Sequence, residues 1–290
     1  MDNTSNGREV KPRWWATMLC RRFLRSKSGI IGLTVILGTV IVAVFAESIS
    51  PYSYVDIIAK PLNTPSFKHL LGTDQFGRDY FSRIVVGTRV SLIVAIFSQV
   101  VTIAIGVPIG AISGFYGKTT DNVIMRFVDV FLAFPFYLLA IIMVAVLGSS
   151  LQNVVIALGF VMWPAMARVV RGQALSIREE EYIAAARVID EKKVYIVLRH
   201  VVPNCLAPAI IQVTLNMGTA ILGEAGLSFL GLGVQPPTPS WGQMLGLGKD
   251  YLRITPHLSI FPGIAIMIVV LGFNLLGDGL RDTLDPRLKT

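Results

Sequence analysis

The sequence predicts an all-α integral membrane protein with six transmembrane helices, and three observations carry that prediction. Of its 290 residues 53% are hydrophobic and 15% charged, with a mean hydropathy of +0.64, a balance foreign to ordinary soluble domains. Six apolar runs, near 30–46, 90–110, 127–147, 154–170, 206–230 and 258–276, approach the ~20 helical residues that a bilayer requires. Lys and Arg flank these runs. With the N-terminus inside, the cytoplasmic segments hold seven from Arg8 to Lys27, then Lys118 and Arg126, seven from Arg168 to Arg199, and Arg281, Arg287 and Lys289, which is 19 of 26. The positive-inside rule then puts both termini in the cytoplasm.

The elements divide as a basic cytoplasmic tail at 1–28, the first helix with an outer loop at 29–86, a core at 87–278 and a second cytoplasmic tail at 279–290. A signal peptide is the other reading of the first run, but its apolar core exceeds the usual ~7–15 residues. Because basic residues flank membrane segments, the net charge of +8 reflects topology and not a nucleic-acid face. Cys20 and Cys205 lack metal-ligand spacing and are expected as free thiols near the cytoplasmic face.

The outer loop contains Pro51, Pro61 and Pro65, then LGTDQFGRDYFSR from Leu71 to Arg83. Two Gly-containing turns alternate there with Asp74, Arg78, Asp79 and Arg83. This is either a run of turns with surface ion pairs, each contributing about 0–1 kcal/mol, or a structured external cap. After the second run, Gly117-Lys118-Thr119 lacks the earlier glycine of a phosphate-binding loop, since Ile112 stands there. No HExxH or G-x-S-x-G motif occurs, and His69, His200 and His257 are scattered. The chain carries no pattern of catalytic residues. Pro108, Pro135 and Pro164 are expected to interrupt three of the helices.

Two carboxylates fall within spanning runs, where insertion costs about 2.5–3.5 kcal/mol each. Asp129 follows Arg126 by three residues and is expected to pair with it. Glu224, in Leu222-Gly223-Glu224-Ala225-Gly226, either lines a polar pathway or bonds a neighbouring helix.

Between the fourth and fifth runs lies a charged loop, residues 171–204. Ser176 and Glu179 form a capping-box pattern, and Glu179, Glu180 and Glu181 suit the positive end of a helix beginning near Ile177. Tyr182, Ala185, Ala186 and Ile189 give it an apolar face. It is Ala-rich with acidic residues at its start, which suits a protein groove better than a lipid interface. Asp190 ends it in the left-handed conformation, and Pro203 is expected to begin the next spanning helix.

This loop resembles the EAA loop of ABC importer permeases, whose pattern is Glu-Ala-Ala, three residues, Gly, nine residues, Ile, one residue, Leu-Pro. The spacing runs through Ala184-Ala185-Ala186, Asp190, His200, Val202 and Pro203, with Ala184 in place of the family's Glu and Asp190 in place of its Gly. The resemblance extends to the second permease of dipeptide, oligopeptide and nickel importers. Leu71 to Arg83 matches that class, as do GLGVQPPTPSWGQML (Gly231 to Leu245) and FNLLGDGLRDTLDPRLK (Phe273 to Lys289).

The resemblance implies a type I ABC importer permease fold in the bacterial inner membrane, importing di- or oligopeptides by alternating access. The same machinery also serves nickel, metal chelates, glutathione and opines. Implied partners are a second homologous permease, two cytosolic ATPases holding ATP and Mg, an extracytoplasmic binding protein and membrane lipid, with no cofactor on this chain. The loop helix would be the ATPase-coupling helix, which assigns coupling to Glu181, Tyr182, Ala184, Ala185, Ala186, Asp190 and Pro203. Glu224 and Asp129 are the pathway candidates, and in a proton-driven secondary transporter they would carry the protons. That alternative expects internal repeats, and none is evident.

Overall fold

The architecture comes from a computed structural model that describes residues 21–284. In chain order it has α1 Lys27–Val44, α2 Ala46–Ile49, α3 Tyr80–Tyr116, α4 Lys118–Ala133, α5 Phe136–Leu147 and α6 Leu151–Arg178. There follow α7 Glu181–Val188, α8 Lys193–Ile196, a π turn Val197–Val201, α9 Val202–Phe229, α10 Trp241–Gly248, a 3-10 turn Lys249–Tyr251 and α11 His257–Leu284. Among the described residues there is no strand, only the isolated bridges Ile57 to Arg78 and Thr73 to Asp79.

Five helical stretches are long and apolar enough to span a membrane, and α4 with α5, bent by 87° at the break between them, is a sixth if the pair counts as one span. Where one continuous third span was expected, the structure has this bent pair. Pro135 disfavours helix at the residue before it, and Phe134 is accordingly extended at φ −80, ψ 136. Pro108 and Pro164 do not interrupt their helices as expected; both lie inside continuous ones. A proline removes one hydrogen bond, and tight packing on both sides can hold the helix through that loss.

The tightest packing joins α3 and α6, which run parallel. Gly106, Gly110 and Gly114 recur every fourth residue along one face of α3. A Cβ on Gly110 would lie 2.4 Å from the Ala167 carbonyl oxygen, one on Gly106 2.8 Å from that of Trp163, and one on Gly114 2.7 Å from that of Arg171. Lipid tails give no hydrophobic incentive for helices to associate, so close backbone approach supplies the attraction through dispersion. The same device joins α1 to α11, where a Cβ on Gly32 would meet the Leu276 backbone nitrogen at 2.3 Å.

At 37 residues, α3 is about 55 Å long and separates two polar ends. Around its N-terminus the segment 50–79 folds into a structured cap. The Asp79 carboxylate caps α3, accepting from the Ser82 N–H at 2.9 Å and the Ser82 hydroxyl at 2.8 Å, while its other oxygen meets His69 Nδ1 at 3.0 Å. Asp74, 1% exposed, accepts from the N–H groups of Phe76 and Arg78 and from Arg78 Nε at 2.6 Å, and lies 3.5 Å from Arg83 Nε. These are buried pairs, not the surface pairs of the plainer reading. Gly77 adopts φ 85 at a turn where a Cβ would approach the Ala59 carbonyl oxygen to 2.1 Å. Further contacts tie the cap end together: the Tyr80 hydroxyl donates to the Leu258 carbonyl, and Trp241 Nε1 donates to that of Ile84 at 2.9 Å.

Cys205 is buried and free; Cys20 lies outside the described residues.

Gly110→Ala should lower the unfolding midpoint of the detergent-solubilised protein, an overpacking cost of about 1–3 kcal/mol. Gly172→Ala, where a Cβ meets nothing within 4 Å, should raise it by the helix preference for Ala, about 0.5–1 kcal/mol. Equal effects at the two sites would contradict the close-packed interface. Asp74→Asn should cost about 3–5 kcal/mol by leaving Arg78 and Arg83 without a buried counter-charge, and unfolding curves that overlay the wild type would show that the cap does not depend on that carboxylate.

Candidate coupling site

At the other end of α3 the chain builds a short helix on a platform. The expected start at Ile177 is about one turn too early, because the structure carries α6 on through Ser176 to Arg178 and begins the next helix at Glu181. Ala174 and Ile177 are both buried, and this continuing apolar face holds the helix intact past Ser176, so the capping box does not form. Glu179 and Glu180 make the turn, with the Glu180 N–H donating to the Ile177 carbonyl. α7 then begins at Glu181 from an extended Glu180 that makes no side-chain cap bond. Glu181 still lies in the first turn, where the helix dipole favours negative charge.

The other end behaves as the sequence implies. Asp190 sits at φ 55, its N–H donating to the Arg187 carbonyl while that of Glu191 donates to Ala186. That pair of bonds is a Schellman termination with Asp in the place that Gly usually takes.

The apolar face of α7 is not the single stripe expected. Ile183 (0% exposed) and Ala186 (7%) turn inward, three residues apart and so on one face. They pack in a core with Phe115 and Ala111 of α3, Ala174 and Ile177 of α6, and Ile196, Val201 and Cys205 beyond. Tyr182, Ala185 and Ile189 form a neighbouring stripe that faces outward, and Glu181 and Ala184 are also exposed. Ile189 stays 75% exposed and Val188 86%. A short helix with one apolar stripe seated on three spanning helices and a second left open has a face free for another protein.

Smaller contacts fix its position. The Arg187 guanidinium lies over the Phe115 ring, 5.4 Å from its centre, and the Tyr182 and His200 rings are 6.2 Å apart. Partial burial, then the Glu180 carboxylate, push the Tyr182 hydroxyl's pKa up, so it remains neutral and a hydrogen-bond donor. Pro203 does not begin a helix: the helix starts at Lys193 and passes through the π turn into α9, with Pro203 at its second residue. Such π turns absorb irregularity without ending a helix.

An ion pair absent from the sequence reading braces the same end. Asp121 at the start of α4 accepts from Arg171 Nε at 2.5 Å and Nη2 at 2.6 Å, and from the Ser113 hydroxyl at 2.6 Å. This bidentate arrangement links α3, α4 and α6 beside α7. An Asp at the rim of an apolar run and an Arg in the charged loop were its separate traces in the sequence.

The two pathway candidates have no partners in common. Asp129 pairs with Arg168 at 2.6 Å and not with Arg126, because α6 passes on that side of α4. Glu224, 1% exposed, accepts from the Ser228 hydroxyl at 2.5 Å, and Ser228 lies 3.4 Å from the Ser240 hydroxyl. Its other oxygen has no partner among the described residues. No cluster of three or more His, Cys, Asp or Glu among the described residues is placed to hold a metal ion.

Comparison with known proteins agrees with this architecture. Residues 106–290 match the family of binding-protein-dependent transport system inner membrane components, and residues 14–65 match the N-terminal transmembrane domain of oligopeptide transport permease C. The latter extends the likeness into the tail, beyond the motifs that begin at Leu71. The dipeptide transport system permease protein DppC of Alkalihalophilus pseudofirmus is 46% identical, over 93% of this chain and 89% of the relative. The glutathione transport system permease protein GsiD of Escherichia coli O157:H7 is 44% identical over the same shares. Among solved structures, inward-facing MetNI methionine ABC transporter matches with a TM-score of 0.57 at 22% identity, over 71% of this chain and 98% of that one, a likeness of fold. The chain is a multi-pass inner-membrane permease subunit and belongs to the family of binding-protein-dependent transport system inner membrane components.

Proposed function

We propose that this subunit moves di- or oligopeptides across the cytoplasmic membrane by alternating access, with α7 as the helix through which partner ATPases drive it. One observation carries the coupling reading: the two faces of α7, Ile183 and Ala186 fixed in the core of the chain's own helices and Tyr182, Ala185 and Ile189 left open. A groove on an ATPase that gripped the open face would move α3, α6 and α9 together, since all three contribute to the core beneath.

In this reading two cytosolic ATPases hold ATP and Mg, a second homologous permease completes the pathway, and an extracytoplasmic binding protein delivers substrate at the cap end. The distribution of Lys and Arg supports a cytoplasmic position for α7 and both termini. Nucleotide falls to the ATPases in this reading, since Gly117-Lys118 lacks the earlier glycine of a phosphate-binding loop and is the junction between α3 and α4. Peptide is favoured as substrate by the dipeptide permease at 46% identity, and the glutathione permeases at 44% also handle a peptide.

Tyr182→Asp with Ala185→Asp, made in the assembled importer, should abolish ATP-driven uptake of a labelled dipeptide while the permease still inserts and folds; wild-type uptake by this double variant would falsify the coupling role. Uptake should also survive collapse of the proton gradient. A single cysteine at Val188 should be labelled by a membrane-impermeant maleimide in inside-out vesicles and not in right-side-out ones; the reverse pattern would invert the topology.

A further inference from the structure

Beside α7, and separate from its open face, lies a recess of about 660 Å³. Lys118, Arg187, Lys192 and Lys193 line it together with the Arg178–Glu179 pair, joined at 2.8 Å. Two further carboxylates line the recess, Glu191, 3.4 Å from His200, and Asp190. Lys118, Arg187, Lys192 and Lys193 have no ion-pair partner among the described residues. Five cations, Lys118, Arg178, Arg187, Lys192 and Lys193, thus face three carboxylates, Glu179, Asp190 and Glu191, which leaves the concave site with a net charge of +2.

A second cavity of about 370 Å³ adjoins it, lined by Ile112, Tyr116, Thr120, Val194, Val197 and Leu198. Tyr116 lines both cavities, and Val194 directly follows Lys193. This groove is apolar and open, with Val194 62% and Leu198 65% exposed. It lies where α3 ends and α4 begins, at the boundary of the spanning segments.

We propose that recess and groove together bind an anionic phospholipid, its phosphate among Lys118, Arg187, Lys192 and Lys193 and an acyl chain along Val194, Val197 and Leu198. The pairing of the two chemistries argues for lipid. A soluble phosphate has no use for the apolar groove, and a protein partner gripping α7 would meet Tyr182, Ala185 and Ile189, none of which lines the recess. Clustered Lys and Arg at the end of spanning helices attract anionic headgroups, and a Tyr at that depth can face water and hydrocarbon at once. Because the recess is built partly from α7, an occupied site would brace this helix on the side away from its open face.

The test uses the complete importer in nanodiscs of phosphatidylcholine with or without phosphatidylglycerol, with retained lipid read by native mass spectrometry. Phosphatidylglycerol should be retained on the permease in preference to phosphatidylcholine, and inorganic phosphate should not displace it. The Lys118→Gln, Lys192→Gln, Lys193→Gln triple variant should retain roughly a hundredfold less, and the corresponding Arg variant should restore it. An unfolding midpoint equal to wild type in phosphatidylcholine discs establishes that the Gln variant folds; if it does not fold, the lipid preference of the wild type decides. The proposal is overturned by equal retention of the two lipids, by displacement with inorganic phosphate, or by a Gln variant that keeps its lipid but sheds the ATPases. Equal retention or displacement by phosphate leaves the coupling role untouched, because that role rests on the other face of α7, whereas loss of the ATPases would extend their docking surface to the recess.

Discussion

Everything at the working end of this permease depends on how closely α3 approaches α6. Gly106, Gly110 and Gly114 meet the carbonyl oxygens of Trp163, Ala167 and Arg171 in register, so two parallel helices lock along three turns. Within a bilayer this contact cannot come from squeezing out water, because both helices would be equally apolar against lipid. It comes from backbone proximity, which residues without a side chain permit. Once the pair is locked, Phe115 and Ala111 on one helix and Ala174 and Ile177 on the other lie side by side. That shared surface forms much of the seat of α7, and Ile196, Val201 and Cys205 complete the core around Ile183 and Ala186.

The cap end obeys a different constraint. There the chain leaves the membrane in a long irregular segment whose backbone groups must find partners, and buried carboxylates provide them. Asp74 organises a turn and holds two arginines, while Asp79 starts α3 and holds His69. Buried charge of this kind adds little net stability over an apolar substitute, but it penalises every arrangement that leaves one member unpaired. The cap thus fixes one end of α3 by charge and the α6 interface fixes the other by shape. A helix held at both ends can act as a strut between the face where substrate would arrive and the face where energy would be applied.

The differences between the sequence reading and the structure have physical causes. Ser176 and Glu179 carry a good capping pattern, yet the apolar surface under Ala174 and Ile177 outweighs the roughly 1 kcal/mol that a cap contributes. Arg126 lies at helical spacing from Asp129, but Arg168 on a neighbouring helix offers the pair that forms. Three prolines looked equivalent. Packing carries the helix through two of them, and Pro135 breaks the chain by 87°. In each case local chemistry was read correctly and a tertiary contact decided between alternatives it left open.

The sequence by itself determined the membrane class, the placing of the apolar helices, the left-handed stop at Asp190 and the importer-permease family, because each depends on composition, local conformation or ordered motifs along the chain. Only the tertiary structure decided which stripe of α7 is buried, that Asp121 is clamped by Arg171, and that Asp74 is an interior charge. Those facts depend on which helices become neighbours. Residues far apart in the chain acquire their roles when the glycine-lined faces of α3 and α6 close together, and no periodicity within either helix states what the other will bring.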